Sequence, residues 1–193
     1  MSVASFSVGL LTPQPTFQGK QSLLPARTFG LGKEAVKHFV RLKASRIIIA
    51  VRSIAKGKAV KAEIEELTEG AAGVIEVWEV DYASYASCKE FAHNVAKLER
   101  VDAVVLNAEI ATERFEILED NEIQSTVNVV STTLLILLLL PVLHASVSKS
   151  ADSVPVISVV SSGVYAYTKF PERKTLNSLA TLNDQKTAVM SDR

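Results

Sequence analysis

The sequence has no excess charge of either sign and almost no cysteine, and both absences limit what the protein can be. Its 21 Lys and Arg residues are matched by 21 Asp and Glu residues, so no long-range field favours nucleic acid or an anionic membrane. The single cysteine, Cys88, excludes an internal disulfide framework and leaves no partner for a cysteine-based metal site. These absences indicate a protein of a reducing compartment, the cytoplasm, with no nucleic-acid partner and no metal.

Long apolar runs are also scarce. Only residues 127–143 could be taken for a membrane span, and their densest part, 134–140, is shorter than the ~20 residues that a bilayer requires. Polar residues such as Asn128 and Ser131 interrupt the approach to it. We therefore expect a helix buried in a protein core and no membrane span. Residues 1–11 lack the basic start of a signal peptide, so none is expected there.

Glycine is present where a turn between a strand and a helix needs it. Gly30-Leu31-Gly32 precedes apolar residues at helical spacing, and the β-branched run 47–51 that follows is uncharged until Arg52. In nucleotide-binding α/β units, such glycines let the backbone approach a pyrophosphate at a helix N-terminus. A cation at the next strand tip, Arg52, suits a 2′-phosphate and hence NADP over NAD, although a surface arginine at a strand end is also common. Taken alone, Gly-x-Gly is weak, because glycine after a strand more often forms an ordinary tight turn.

Strand and helix patterns alternate along most of the chain. Predicted strands cover 21–26, 46–51, 74–80, 102–107 and 154–160, and predicted helices cover 31–42, 55–67, 84–98 and 121–145. The alternation predicts an α/β fold with a parallel sheet and helices on both faces. The first strand is poor for a central position because it contains Pro25. Residues 1–20 are predicted to be an extended lead-in, and from 163 to 193 the pattern fades into loop and one or two helical turns.

Polar side chains follow three of the predicted strands, and another interrupts the apolar helix. Asp81, Asn107 and the pair Ser161-Ser162 come at strand ends, where open α/β sheets bind ligands. Each also has an ordinary structural explanation. Asp81, like Ser84, could cap a helix, Asn107 and the serines are common in turns, and Asn128 could be any helix asparagine.

With Asn107-Ala108, Asn128 and Ser161-Ser162 in this order, the sequence resembles the short-chain dehydrogenase/reductase family. The likeness runs from about Phe17 to the last residue and is to the retinol-dehydrogenase-like reductases of fungal secondary metabolism in particular. It implies a Rossmann-like doubly wound parallel sheet of about five strands in the order 3-2-1-4-5. A partial NAD(P)-binding domain would then cover 21–162, between the lead-in 1–20 and a tail at 163–193.

The resemblance also implies roles for single residues. Cofactor-binding positions would be those of the glycine turn and the strand ends, namely Gly30, Leu31, Gly32, Arg52, Asp81 and Asn107. Asp81 would bond the adenine amino group, and Asn107 would fix its strand end beside the adenosine ribose. Ser162, with Ser161 as the alternate, would orient the substrate, and the backbone carbonyl of Asn128 would extend a proton relay. The implied reaction is NADP-dependent hydride transfer to or from a small hydrophobic carbonyl or alcohol.

Two parts of the cofactor site depart from the family pattern. Glu109 stands where the Asn-Ala-Gly pattern has glycine, which by size and charge disfavours a dinucleotide. Pro25 and Ala26 stand where the glycine motif has threonine and its first glycine. Residues 21–28 are an allowed translation of a typical family strand read one nucleotide late, so a pair of compensating frameshifts is one hypothesis for them.

The catalytic acid is the third departure. The family uses a tyrosine whose pKa of ~10 is lowered by a lysine four residues later on a helix. Tyr85 and Lys89 precede the serines, and Tyr165 and Lys169 lead into Pro171, so neither pair fits. The resemblance puts the catalytic tyrosine just beyond Arg193, which implies a truncated chain with little or no activity.

Three hypotheses follow from the sequence. The chain could belong to an NADP-dependent reductase. It could instead be a non-catalytic remnant that binds a partner through its apolar helix, either a second copy or a full-length homologue. It could also be the product of a decayed or misread gene.

Overall fold

A computed structural model describes residues 20–25, 30–149 and 154–187, and all of the predicted lead-in except Lys20 lies outside the described residues. Five parallel strands form one sheet: β1 (Gln21–Pro25), β2 (Arg46–Val51), β3 (Ile75–Glu79), β4 (Ala103–Leu106) and β7 (Val156–Val159). Their order in the sheet is β3-β2-β1-β4-β7. This arrangement confirms the predicted Rossmann-like sheet and its strand order.

Helices cover both faces of the sheet. They are α1 (Leu31–Arg41), α2 (Ile54–Leu67), α3 (Tyr85–Val95) and α4 (Thr132–Val147), with a short α5 (Ser178–Leu182) near the end. Strand β2 explains the arrangement, since Ile47 and Ile49 belong to the core with α1 and α2 while Ile48 belongs to the core with α3 and α4. A strand covered on both faces is apolar along its buried length, here 47–51, which is why its sequence run does not alternate.

Strand β1 forms despite its proline. It pairs with β2 along all five of its residues, but with β4 only at Ser22 and Leu23. Pro25 lies two residues beyond the last pairing with β4, so the N–H that proline lacks is not needed on that side. The central position is therefore compatible with a proline at its carboxyl end.

The predicted long helix from 121 begins later than expected. Asn121–Glu122 forms a short strand, β6, antiparallel to β5 (Ile117–Leu118). The fully buried Glu122 carboxylate then accepts the N–H groups of Gln124 (2.9 Å) and Ser125 (3.1 Å). The carboxylate thus satisfies N–H groups that have no partner within the helix, and the helix begins after Glu122 for this reason. It includes a π-helical stretch, Ser125–Ser131, which continues into α4.

The helix Ser125–Val147 is long and apolar enough, by length and composition alone, to cross a membrane. Only 39 % of its most apolar window is buried, so its burial is one-sided. Leu135 and Leu139 face the core, whereas Leu137 and Leu140 are exposed. Core helices of soluble proteins meet the same length and composition limits, so this helix is weak support for a membrane span. The predicted burial applies to one face of the helix.

Candidate functional site

A cleft of about 590 Å³ opens at the carboxyl edge of the sheet, where β2, β3 and β4 end. Its size is within the range of small-molecule sites, roughly 300–1,000 Å³. Its described lining is Gly30, Ala50, Val51, Arg52, Ser53, Lys56, Val80, Asp81, Tyr82, Ala83, Ala108, Glu109, Ile110, Leu118, Ile123 and Val127. Three predicted cofactor residues, Gly30, Arg52 and Asp81, therefore share one cleft.

Gly30 supplies the turn into α1. Its φ of +75° lies in the region that favours glycine, and its carbonyl accepts the Glu34 N–H of the first helical turn. Leu31 is exposed and Gly32 is a buried residue of α1 itself, and neither is part of the described lining of the cleft. The structure thus brings only the first residue of this predicted trio to the cleft.

Two cations lie together at the rim formed by β2 and α2. Arg52 follows the last residue of β2 and is exposed, and Ser53 caps α2 by accepting the Lys56 N–H at 3.4 Å. The cap sets Lys56 in the first helical turn, four residues after Arg52. Neither cation forms an ion pair with a residue in the described part of the chain. Sequence analysis missed Lys56, although a serine three residues before it marked the helix start.

Asp81 lies at the cleft just beyond β3, and α3 does not use it as a cap. Ser84 caps α3 by accepting the Ser87 N–H at 3.3 Å, so of the two candidate caps the serine has this role. One Asp81 carboxylate oxygen accepts the Ala83 N–H at 2.9 Å, which turns the chain between strand and helix. The carboxylate is thereby held at the cleft.

Behind Asp81, the chain turns inward at Tyr82. The Tyr82 carbonyl accepts the Ser131 hydroxyl at 2.6 Å, which ties the strand end to the long helix. Its own hydroxyl is buried with no hydrogen-bond partner among the described residues, and burial raises the pKa of this phenol far above its usual range. Burial likewise raises the pKa of the neighbouring Cys88 thiol to about 11. Tyr82 and Cys88 therefore form a desolvated layer, shielded from water, behind this side of the cleft.

The third wall of the cleft follows β4. Ala108, Glu109 and Ile110 line it, whereas Asn107 is half-buried outside the described lining. Glu109 is exposed at the position where the family pattern has glycine. The cleft therefore carries two anions, Glu109 and Asp81, as well as the two cations at its other rim.

The side chain of Asn128 holds this wall in place. Its Nδ2 donates to the Ile110 carbonyl at 2.8 Å, and its Oδ1 accepts the Ile110 N–H at 2.9 Å. Asn128 lies in the π-helical stretch Ser125–Ser131, a form that is rare and often found at functional sites. Its specific bonds to the wall distinguish it from an ordinary solvent-facing helix asparagine.

Ser161 and Ser162 are exposed just beyond β7, at the same edge of the sheet but outside the described lining of the cleft. The chain then forms two short 3₁₀ turns, Gly163–Ala166 and Pro171–Lys174. Lys169 lies between these turns, so Tyr165 and Lys169 do not share a helix.

The other Tyr-x-x-x-Lys pair has a structural setting at the start of α3. The Tyr85 N–H donates to Glu119 at 2.8 Å, and its hydroxyl accepts from Asn121 at 3.3 Å. Among the described residues, no helix after Ser162 carries a tyrosine and a lysine one turn apart, and no group of three potential metal ligands forms.

A second groove, of about 690 Å³, lies between β3 and α3 and contains none of the predicted site residues. Trp78 and Phe91 form its apolar part, with ring centroids 6.3 Å apart in an edge-to-face arrangement. Arg46 pairs with Glu76 at 2.8 Å and, together with the Trp78 indole, holds the pKa of that carboxyl below its usual range. These contacts explain the groove as side-chain packing along the edge strand β3 and its neighbour β2.

Comparison with known proteins places the chain, including the segments that line the cleft, in one family. The short chain dehydrogenase family profile matches residues 25–171. The chain is 44 % identical over 181 residues to a short chain dehydrogenase/reductase of Cryptosporiopsis sp., covering 91 % of this chain and 56 % of that protein. It is 42 % identical to a short-chain dehydrogenase of Penicillium roqueforti, covering 100 % of this chain and 51 % of that protein. The chain thus spans about half the length of these fungal relatives.

Solved structures show the same fold at lower identity. A protein of Mycobacterium paratuberculosis superposes with a TM-score of 0.66 at 23 % identity, over 90 % of this chain and 55 % of that one. An Escherichia coli protein solved as a complex with NADPH gives a TM-score of 0.62 at 23 % identity, over 80 % of this chain and 63 % of that one. By its sequence profile, its fungal relatives and its sheet, the chain belongs to the short-chain dehydrogenase/reductase family of oxidoreductases.

Proposed function

We propose that the cleft at the carboxyl edge binds NADP(H), and that the protein is an NADP-dependent reductase of a small hydrophobic carbonyl compound in fungal secondary metabolism. The observation that supports this most is the convergence of Gly30, Arg52 and Asp81 on one cleft at the ends of β1, β2 and β3. Open α/β sheets bind nucleotides at this edge. The cytoplasm, with its supply of NADPH, is the compartment that suits the activity.

The residues of the cleft fit the adenosine half of the cofactor. Gly30 opens the N-terminus of α1, where free N–H groups and the helix dipole favour phosphate. Asp81 would accept a hydrogen bond from the adenine amino group. Asn107 would support its strand end beside the ribose.

The charges of the rim favour NADP over NAD. Arg52 and Lys56 both line the cleft next to the capped N-terminus of α2. Cations and a helix N-terminus together bind a phosphate dianion, and NADP carries such a group at the ribose 2′ position while NAD does not. Glu109 opposes binding by its charge and lowers the affinity for either cofactor.

When bound, NADPH supplies the hydride for carbonyl reduction. In this chain Ser162 would orient the carbonyl, and Asn128 would hold the cleft wall and extend a proton relay through its backbone. Tyr165 and Lys169 do not share a helix. Tyr85 and Lys89 do share α3, but they precede Ser162 in the chain and lie on the side of the cleft proposed for adenine, so neither pair is placed to act as the catalytic acid. We therefore expect the 193-residue polypeptide to bind NADPH without appreciable turnover.

The test is a fluorescence titration of the chain with NADPH and with NADH. The unmodified chain should bind NADPH more tightly, and Arg52→Ala should weaken NADPH binding by roughly tenfold or more while changing NADH binding little, since a charge-assisted hydrogen bond contributes ~1.5–3 kcal/mol. Arg41→Ala is the matched control, because Arg41 is an exposed arginine in the last turn of α1, at the opposite edge of the sheet.

Three results would contradict the proposal: no binding of either cofactor, equal affinities for the two, or equal losses in the two arginine variants. A carbonyl-dependent oxidation of NADPH by the bound chain would contradict only the expected lack of turnover. In that case Tyr165 and Tyr85 would be the first residues to replace.

Association with another chain is the second candidate function. The exposed side of α4 carries Leu137 and Leu140, which are 61 % and 46 % accessible, and β7 has no neighbour on its outer side among the described strands. Co-elution with a full-length homologue, abolished by polar residues at these two leucines, would support a binding role. Failure to co-elute would contradict the binding role and would not affect the reductase proposal.

A further inference from the structure

The wall that follows β4 has no regular secondary structure, although it lines the cleft. Between Leu106, the last residue of β4, and Ile117, the first of β5, no helix or strand is formed. Ala108, Glu109 and Ile110 nevertheless contribute to the lining. A segment without ladder bonds must have its backbone groups satisfied in another way, because a buried unpaired N–H or carbonyl costs ~1–3 kcal/mol.

Gln124 forms hydrogen bonds with both backbone polar groups of one wall residue, Thr112. Its Nε2 donates to the Thr112 carbonyl at 3.2 Å, and its Oε1 accepts the Thr112 N–H at 3.4 Å. Its side chain is buried, with only 3 % of the residue accessible. A carboxamide is suited to this task, since it offers one donor and one acceptor side by side, as a neighbouring strand would.

The bond pattern repeats that of Asn128 on Ile110. Gln124 and Asn128 lie four residues apart on one helix face, and Ile110 and Thr112 are alternate residues, whose backbone groups point the same way in an extended segment. The earlier helix residue holds the later wall residue, so the segment runs antiparallel to the helix. Two side chains thus replace a missing strand beside the cleft.

We propose that Gln124 is a positioning residue of the cofactor cleft, which anchors the wall at Thr112 and thereby fixes the path of Ala108–Ile110 along the bound cofactor. This rests on the proposed function, the binding of NADP(H) in this cleft. Gln124 itself is not among the lining residues and acts through the backbone of Thr112. Because Asn128 also holds Ile110, the wall is anchored at two points, one at the last lining residue of the segment and one just beyond it.

The informative variant is Gln124→Met, which keeps the approximate size but removes both the acceptor of the Thr112 N–H and the donor to the Thr112 carbonyl. We expect the Thr112 amide to exchange with solvent at least about tenfold faster, with the core amide of Ile49 unchanged, as for a local rather than global opening. The dissociation constant for NADPH should rise about tenfold as the preformed wall is lost. Asn94→Met is the matched control, because Asn94 lies on α3 and, among the described residues, its side chain bonds the exposed Lys97 and no backbone group of the wall.

Faster exchange at Thr112 without a change in NADPH affinity would overturn the positioning role alone. Unchanged exchange at Thr112 would overturn the anchor itself. If the unmodified chain binds no NADPH, the proposed function fails first and this inference with it. Should Gln124→Met not fold, the unmodified chain still decides, because a Thr112 amide that exchanges as fast as that of exposed Ala111 contradicts the anchor.

Discussion

At the scale of single residues, Glu109 is the side chain that most opposes the proposed function. It lines the cleft that also holds Asp81, so two carboxylates face an anionic cofactor. An exposed like charge at about 4 Å costs ~1 kcal/mol in water and more in a partly enclosed cleft. The balance between these carboxylates and the cations Arg52 and Lys56 therefore sets the affinity.

We expect Glu109→Gly to tighten NADPH binding by roughly three- to tenfold, since it removes both the charge and the bulk. Glu109→Gln should give only the part of this gain in NADPH affinity that is due to charge. The gain of Glu109→Gln over the unmodified chain should shrink in high salt, because salt screens charges. Isothermal titration at two ionic strengths measures both effects. Glu113→Gln, an exposed glutamate further along the same segment, is the control. Weaker binding by the glycine variant would show that Glu109 contributes to the site.

The desolvated layer behind Asp81 gives a prediction for alkaline pH. Burial raises the pKa of Cys88 to about 11 and raises that of Tyr82, so the folded chain retains protons that the unfolded chain loses from about pH 9 upward. Stability should be complete below pH 9 and should fall as the pH rises towards 11. Melting curves by circular dichroism between pH 7 and 11 should show this loss, and Cys88→Ala should reduce it. If Cys88→Ala lost stability as steeply with rising pH as the unmodified chain, Cys88 would not contribute to the pH dependence.

At the scale of secondary structure, the close contact of α2 with the sheet depends on Gly57. A Cβ atom there would lie 2.5 Å from Val77 Cγ1 and 2.7 Å from Val51 Cγ2. Gly57→Ala should therefore destabilise the fold by about 1–3 kcal/mol through overpacking, although alanine favours helix by up to ~1 kcal/mol. Urea unfolding measures the difference, with exposed Lys58→Ala as the control on the same helix. A more stable Gly57→Ala variant would contradict the close contact.

The elements that sequence analysis predicted well are those set by local patterns. Strand β2 has the predicted bounds, and α1 and α2 each differ by one residue at one end, because apolar periodicity and a serine cap define them. The convergence of Arg52 and Asp81 on one cleft was predictable for a related reason. The carboxyl ends of parallel strands meet at one edge of the sheet, so residues after different strands converge there.

The elements predicted poorly depend on bonds between distant residues. The hairpin of β5 and β6 replaced the expected helix start, and it is held by the Asn121 bond to Tyr85 and by Asn183, whose Oδ1 accepts the Glu122 N–H at 2.7 Å. No local pattern reveals a partner 61 residues away. Gln124 escaped notice for the same reason, since its role exists only once Thr112 lies beside it. Ser162, Asn107 and Asn128 keep their implied roles as predictions.

At the scale of the whole molecule, both the long helix α4 and the edge strand β7 expose apolar side chains. Val156 and Val159 of β7 are about half accessible, as is Leu140 of α4, and Leu137 is 61 % accessible. Edge strands and apolar patches of this kind favour pairing between chains. We expect the 193-residue chain to self-associate through α4 and β7.

Light scattering should give a mass well above the 20.9 kDa of one chain at micromolar concentration. The double substitution Leu137→Lys and Leu140→Lys should shift the mass towards the monomer, because two charges on the patch repel a second copy. Leu67→Lys, at an exposed leucine of α2, controls for added charge. A monodisperse monomer of the unmodified chain would contradict the expected association.

The most direct test of the NADP(H) site is hydrogen exchange of the full chain with and without NADPH. Binding in the cleft should slow exchange in three separate regions, at residues 52–56, 81–83 and 108–110, with little change around Trp78 and Asn94 in the second groove. Protection at all three strand ends would establish the carboxyl edge as the cofactor site. Saturating NADPH that protects none of them, or protects the second groove instead, would contradict it.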